Sequence, residues 1–157
     1  MTPEQLAYLE MYKEHAQQAR QHETQRERMT GAVVAMGVAL VAFVSTNLKE
    51  PTPALLLPAV LVIILGCYGT VFSRKHYERN RLHTDIMGTF RDALENSLMN
   101  APLGQIRAGA ESTHNNKFQR LRRWRLHLFW DGLNAFVALA GVILVGVLAW
   151  ALLKCGV

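Results

Sequence analysis

Residues 129–153 read FWDGLNAFVALAGVILVGVLAWALL, and Asp131 is the only charged residue in this stretch. A helix that crosses a hydrocarbon core of ~30 Å needs about 20 predominantly apolar residues. The stretch is longer than this minimum length. It therefore predicts a transmembrane helix with one acidic residue near its start.

Two further apolar stretches precede it: residues 30–47, TGAVVAMGVALVAFVSTN, and residues 54–73, ALLLPAVLVIILGCYGTVFS. The alternative is a soluble domain with three buried helices. However, half of the 157 residues are hydrophobic and gather in these three blocks. The remaining sequence is too short to cover three such helices. We therefore predict an all-α membrane protein with three transmembrane helices.

The distribution of Lys and Arg predicts the orientation of the chain. Residues 1–29 carry four of these residues and residues 74–128 carry eleven, whereas residues 48–53 and 154–157 carry one each. Lys and Arg are enriched on the cytoplasmic side of membrane proteins. We expect a bacterial inner-membrane protein with the N-terminus and the 74–128 segment in the cytoplasm. The 48–53 turn and the 154–157 tail are then periplasmic.

The first two spans are expected to continue into the cytoplasm as helices. The opening TPEQ predicts a capped helix start, with Thr2 as the cap and Gln5 at the capping-box position. After Pro3 the chain has no proline before Pro51, so one helix is expected through residues 1–29 and the first span. Residues 100–116 are rich in Pro, Gly and polar residues and are predicted to form a loop. A new helix is expected from Lys117.

An amphipathic stripe follows the second span in residues 74–128. Large apolar side chains recur every four residues, which places them on one face of a helix. This face is predicted to bind either the cytoplasmic part of the first helix or a partner protein. Its members are Leu82, Ile86, Phe90 and Leu94.

Small residues recur at alternating spacings of three and four residues in the spans. Helices associate in lipid largely through close packing of small residues, because lipid provides little hydrophobic drive between them. These faces predict a tightly packed bundle that is completed by homo-oligomerisation. The residues are Ala32, Ala35, Ala39 and Ala42 in the first span, Gly66 with Ala59 and Ser73 in the second, and Ala135 and Ala138 in the third.

Asp131 lies about one turn inside the third span, with Asn134 one turn further along. A carboxylate at this depth is costly unless it faces protein or water and finds a partner. Two interpretations remain open. Asp131 pairs with Arg28, or with an arginine of the 120–125 run from a neighbouring subunit. Alternatively, Asp131, Asn134 and Arg28 face a water-filled interior and act in ion conduction or gating.

The third span is preceded by QRLRRWRLHL, with Arg120, Arg122, Arg123 and Arg125 interleaved with aromatic residues. Such a mixture is also typical of nucleic-acid-binding arms. Its place at the cytoplasmic end of a span instead favours contact with anionic lipid. We expect membrane lipids as partners. A cytoplasmic protein or an anionic ligand at residues 74–128 remains an option, and nucleic acid is not expected as the main partner.

Motifs for catalysis or cofactor binding are absent from the sequence, and neither an enzyme nor a cofactor is expected. His15 and His22, and likewise His76 and His83, are seven residues apart and share helix faces. This spacing weakly suggests a metal or pH-sensitive site, but histidines on a solvated surface explain it as well. The spacing from Arg107 to His114 resembles the motif of HEPN-type ribonucleases. No catalytic role is assigned to it.

The order of elements in residues 3–99 is similar to that of small bacterial membrane effectors of anti-phage systems, including the SLATT-type family. The resemblance lies in a cytoplasmic lead-in helix, two spans joined by a tight turn, and the charged helical stretch SRKHYERNRLHTDIMGTFRDALE after the second span. The third span departs from the two-span pattern of that family. The resemblance implies an oligomer that disrupts the inner membrane in response to a cytoplasmic signal. The alternative is a non-conducting anchor or sensor that recruits a soluble partner.

Overall fold

The computed structural model of the protein describes residues 1–98, 103–119 and 125–155, and every regular element in these ranges is helical. Helix α1 runs from Pro3 to Thr46 and α2 from Leu56 to Ser97. A 3₁₀ turn, Pro53–Leu55, precedes α2. Helix α3 covers Leu103–Lys117 and α4 covers Leu126–Cys155.

Three of these helices are long and apolar enough to cross a membrane: α1, the segment Pro53–Ser97 that contains α2, and α4. The second and third predicted spans lie within two of them, and the first, residues 30–47, lies within α1 except for Asn47, one residue beyond its end. The prediction of an all-helical protein with three candidate membrane helices is therefore confirmed.

Helix α1 begins with the predicted capping box. The backbone N–H of Gln5 donates to Thr2 Oγ1 at 3.2 Å, and the backbone N–H of Thr2 donates to Gln5 Oε1 at 2.9 Å. These bonds satisfy N–H groups that have no partner within the helix. With no proline in its interior, α1 continues for 44 residues, or about 66 Å at 1.5 Å per residue. The single-helix prediction for this region is confirmed.

Helix α2 extends for 42 residues and begins two residues before Pro58. Proline is tolerated there because the first N–H groups of a helix have no intrahelical acceptor. Pro58 therefore lies in the first turn of the helix. The second span and the amphipathic stripe after it belong to one continuous helix.

The prediction of a loop over residues 100–116 is wrong from residue 103 onwards, because α3 occupies Leu103–Lys117. Alanine, glutamine and arginine support a helix here, and Arg107 and Glu111 form an i,i+4 ion pair at 3.9 Å. The Glu95 carboxylate also accepts a hydrogen bond from the N–H of Gly104 at 2.5 Å. This contact with a distant residue caps the first turn of α3, which local composition does not reveal.

The expected helix start at Lys117 is also wrong. Lys117 is the last residue of α3, and α4 begins at Leu126. The third predicted span, residues 129–153, lies inside α4.

The chain divides into two compact units. The first, called here the polar unit, comprises residues 1–23 and 77–126. The second, called here the membrane unit, comprises residues 24–76 and 127–157 and contains the three apolar stretches.

In the polar unit the start of α1 lies along the end of α2. Gln5 Nε2 donates to the carbonyl of Ser97 at 2.8 Å, and Asn80 Nδ2 donates to the carbonyl of Ala19 at 2.8 Å. Between these two bonds, the ring centroid of Phe90 lies 6.5 Å from that of Tyr8. The amphipathic stripe on α2 is thus partly covered by α1.

In the membrane unit parts of α1, α2 and α4 form a three-helix bundle with two apolar clusters. One is centred on Val33, Val62 and Val137. The other contains Val44, Leu55, Ala59, Leu144, Leu148 and Leu152. The two clusters give the bundle an apolar core along its length.

Candidate functional site

Asp131 lies at the end of the bundle where α4 meets the end of the second span. One carboxylate oxygen accepts a hydrogen bond from Ser73 Oγ at 2.9 Å, and the other from Arg74 Nε at 3.2 Å. Within the described chain, the arginine that contacts Asp131 is thus Arg74 and not Arg28, and pairing with an arginine of a neighbouring subunit stays a prediction. Arg74 reaches the acid because it directly follows Ser73, whose side chain is buried against α4.

The ion pair between Asp131 and Arg74 is only half enclosed. The Asp131 side chain is 16% exposed and the Arg74 side chain is 72% exposed. A pair in such a setting contributes less than about 1 kcal/mol. Its main effect is to satisfy both oxygens of an acid that sits at the edge of an apolar region.

Asn134 lies one turn further into the bundle and is fully buried. Its Nδ2 donates to Thr30 Oγ1 on α1 at 3.1 Å and to the carbonyl of Trp130 at 3.0 Å. The first bond connects α4 to α1. Within the described part of the chain Asn134 Oδ1 has no hydrogen-bond partner, and it lies against Gly69 of α2. Asn134 therefore links α4 with both neighbouring helices.

The polar residues end at Asn134. Further along α4 the buried positions are all apolar: Val137, Gly141, Leu144, Leu148 and Leu152. Asp131, Ser73, Asn134 and Thr30 thus form a polar cluster at one end of the bundle, not a polar path through it. Chemically, the cluster can hold the helices in register and stabilise one carboxylate.

The small-residue face predicted on α2 is the face that packs within the chain. Ala59, Gly66 and Ser73 are all buried. A Cβ built on Gly66 would lie 2.7 Å from the Cα of Ala138, so the two helix backbones are in contact. Glycine is required at this position because any side chain would separate α2 from α4.

The packed face of α4 differs from the predicted one by about one residue. Ala135 is exposed and Ala138 is half-buried, whereas the neighbouring positions Asn134 and Val137 are buried. One residue corresponds to a rotation of 100° around a helix. The predicted face of α4 therefore lies at the edge of the contact within the chain.

On α1 the alanine face is exposed, although Ala32 and Ala42 also line cavities that α1 forms with neighbouring helices. Ala32, Ala35, Ala39 and Ala42 are all exposed. The buried positions of α1 in the membrane unit are Arg26, Thr30, Val33, Gly37 and Val44. We call the exposed alanines the open face of α1. Their assignment to contacts between subunits stays a prediction.

The polar residues before the first span extend the open face. Arg28 and Gln25, which lie one and two turns before Ala32, are also exposed. Arg28 therefore belongs to the open face and not to the Asp131 cluster. Of the three residues considered for gating, Asp131 and Asn134 lie close together on α4, and Arg28 is separate from them.

In the polar unit, His83 lies between two histidines of α1. Its ring centroid is 5.3 Å from that of His15 and 5.3 Å from that of His22. The Nδ1 atoms of His15 and His83 are 3.0 Å apart. One of these nitrogens must donate and the other must accept, so the contact holds one proton and not two.

The pKa values of two histidines follow from their surroundings. The pKa of His83 is lowered by burial and by the neighbouring His15, His22 and Arg79, against the opposite effect of Glu14. The pKa of His76 is lowered by burial and by the charge of Arg26. Both surroundings disfavour the protonated ring.

The histidines do not form an evident metal site. Within the residues that the structure describes, no group of three or more His, Cys, Asp or Glu side chains is arranged to hold a metal ion. The ring of His76 is tilted against that of Phe72 at a centroid distance of 4.1 Å. His114 of α3 contacts Phe118, just beyond the helix end, in a tilted arrangement at 4.9 Å.

The predicted partner face on α2 is only partly available. Phe90 stacks on His15 at a centroid distance of 5.8 Å, and Ile86 and Leu94 are half-buried. Leu82 is 44% exposed. On α3, Ile106 is 64% exposed, and composition did not single it out.

Of the four arginines assigned to the lipid rim, Arg125 lies just before α4 and is exposed. Arg120, Arg122 and Arg123 lie outside the described residues. Their assignment to the lipid rim stays a prediction.

No protein-family model, no curated protein and no solved structure matches this chain.

Proposed function

We propose that the protein is a self-associating bacterial inner-membrane effector that permeabilises the membrane in response to a cytoplasmic signal, as in anti-phage defence. The single observation that carries this proposal is the open face of α1. Four alanines with near-heptad spacing are exposed along a membrane helix, while the buried positions of α4 beyond Asn134 are apolar.

The two parts of this observation support each other. Small side chains allow close approach of helix backbones in lipid, and the four alanines of the open face are all exposed. In this proposal, a permeation path runs between subunits. Arg28 and Gln25 continue the open face, so such a path would have a polar entrance at one end.

The topology of this proposal follows the distribution of Lys and Arg. The N-terminus and the polar unit lie in the cytoplasm, and the C-terminus lies in the periplasm. The polar unit is then the part that receives the signal. Residues 74–128 carry eleven positive and five negative residues, which suits an anionic ligand or an acidic protein surface.

The open face is tested by substitution of an alanine with leucine. Ala39→Leu places a large side chain on this face, and we expect it to reduce both the oligomeric mass in native mass spectrometry and the depolarisation seen with a potential-sensitive dye. The matched control is Ala149→Leu, an exposed alanine on α4. Equal effects of the two variants would remove the open face from the mechanism. A chain that forms oligomers but never depolarises cells, with or without a trigger, contradicts the effector function.

The apolar core of the bundle favours a second candidate function. In it, the protein is a non-conducting membrane anchor that recruits a soluble partner through the polar unit. Leu82 on α2 and Ile106 on α3 are exposed and suit such a contact. Phe90 is less informative, because it already contacts Tyr8 and His15 of the same chain.

The anchor function predicts that Leu82→Lys and Ile106→Lys abolish co-purification of the partner while the protein stays in the membrane. Leu61→Lys would place a charge within a membrane span, so it is unsuitable as a control. Thr89→Lys, at an exposed position of α2, is the matched control. Unchanged co-purification in the Leu82 and Ile106 variants counts against this function.

A further inference from the structure

A cavity of about 500 Å³ opens between α1 and α2 in the membrane unit. It lies where the first span begins and the second span ends. The residues that line it are Gln25, Arg28, Met29, Ala32, Phe72 and His76.

The two ends of this cavity differ in chemistry. Gln25, Arg28 and His76 lie beyond the predicted apolar limits at residues 30 and 73, whereas Ala32 and Phe72 lie inside them. A polar end therefore faces the membrane surface and an apolar end faces the hydrocarbon. A phospholipid has the same division between its headgroup and its acyl chains.

The polar end is also electropositive. Arg28 lines the cavity, and no lining residue that the structure describes there is acidic. The charge of the buried Arg26 acts on His76 and contributes to lowering its pKa. A second cationic group thus influences the same wall. An arginine guanidinium can also bind two phosphate oxygens at once, which a point charge cannot do.

We propose that this cavity binds an anionic phospholipid, with the phosphate held by Arg28 and His76 and an acyl chain lying along Ala32 and Phe72. Gln25 supplies an amide donor to the headgroup. A soluble anion would use only the polar end and would leave the apolar wall uncovered. The site requires neither a pore nor a particular leaflet, so it stands independently of the proposed function.

The lipid would occupy one end of the open face of α1, because Arg28 and Ala32 belong to both. Lipid binding must therefore be measured separately for each oligomeric state. Native mass spectrometry of the full chain does this, since lipid adducts are resolved on monomers and oligomers alike.

The experiment loads the full chain with phosphatidylglycerol or with phosphatidylcholine of the same acyl chains. A basic residue near an anionic membrane surface is worth ≈ 1 kcal/mol, so we expect about fivefold greater retention of phosphatidylglycerol. Arg28→Gln should remove most of this preference. Lys75→Gln is the control, because Lys75 is exposed and lies two residues outside the second span, just as Arg28 lies two residues outside the first. It should retain the preference.

Two further measurements separate a lipid from a free anion. Ala32→Trp fills the apolar end without a change of charge, and it should release phosphatidylglycerol as Arg28→Gln does. Glycerol phosphate in excess should not displace the lipid. Equal retention of the two lipids, equal losses in the Arg28 and Lys75 variants, or displacement by glycerol phosphate would each overturn the proposal. Circular dichroism of every variant verifies that the helices are formed.

Discussion

Gly66 provides the most direct test of how the three-helix bundle is held together. A Cβ at this position would lie 2.7 Å from both the Cα and the Cβ of Ala138, and closer still to its backbone nitrogen. The obstacle is backbone and cannot rotate away. In Gly66→Ala the helices α2 and α4 must therefore move apart.

The size of the effect follows from two opposing contributions. Overpacking of a well-packed core typically costs 1–3 kcal/mol, whereas replacement of glycine by alanine inside a helix gains roughly 0.5–1 kcal/mol. We expect Gly66→Ala to lose roughly 1–2 kcal/mol of the free energy of unfolding. Loss of contacts around Asn134, one turn away on α4, adds to this value.

The free energy is measured by reversible unfolding of the full chain in mixed micelles, followed by circular dichroism and tryptophan fluorescence. Gly146→Ala in α4 is the matched control, because a Cβ there meets nothing within 4 Å. It should be neutral or slightly stabilising. Gly37→Ala should fall between the two, since its Cβ would meet the side chain of Val137 and not a backbone.

The expected order of stability is Gly146→Ala, then Gly37→Ala, then Gly66→Ala. Equal stability of the Gly66 and Gly146 variants would refute the close contact between α2 and α4. In that case the face with Ala59, Gly66 and Ser73 would have another role.

Three further measurements address the polar cluster, the orientation and the histidines. Asp131→Asn removes the ion pair with Arg74 but keeps an acceptor for Ser73. The free energy of unfolding should therefore fall by less than about 1 kcal/mol, and depolarisation should persist. Lost depolarisation at unchanged stability would instead assign Asp131 a functional role. A membrane-impermeant maleimide should label Cys155 in intact cells, and Cys155→Ser should abolish this labelling; labelling only after permeabilisation would reverse the proposed orientation. His83 has a pKa below its ordinary value of 6.5 in the folded chain, so the unfolded chain binds more protons as the pH falls. Its contribution to stability is therefore complete above pH 6.5 and is lost as the pH drops through 6.5 towards the lowered value. His83→Gln should flatten this part of the curve of stability against pH, measured by chemical denaturation. An unchanged slope would show that His83 does not sense pH.

Several features could be read from local sequence because they depend on local physics. The three spans follow from the length and composition of the apolar stretches, and no other part of the chain competes with them. The start of α1 follows from the short-range capping box of Thr2 and Gln5. Small residues at seven-residue spacing predict the packed face of α2. On a lipid-facing surface, a glycine such as Gly66 would have no packing role.

Other features depended on contacts between distant residues. Local sequence does not reveal α3, because the N–H of Gly104 is capped by the carboxylate of Glu95, nine residues earlier and across a segment with proline. The sequence leaves the partner of Asp131 open between Arg28 and an arginine of a neighbouring subunit. Only the orientation of α2 about its own axis shows that Arg74 is the arginine within hydrogen-bonding distance of Asp131.

The amino-acid sequence by itself thus determined that this is a helical protein with three candidate membrane spans, because backbone groups in hydrocarbon must be satisfied within a helix. The tertiary structure alone decided which side of the first and third spans is packed. On α1 it is Val33 and Gly37 and not the neighbouring alanines, and on α4 it is Asn134 and Val137 and not Ala135. The physical reason is that lipid is as apolar as the side chains it surrounds, so hydropathy does not distinguish a lipid-facing side from a buried one. Steric fit between the helices makes that choice.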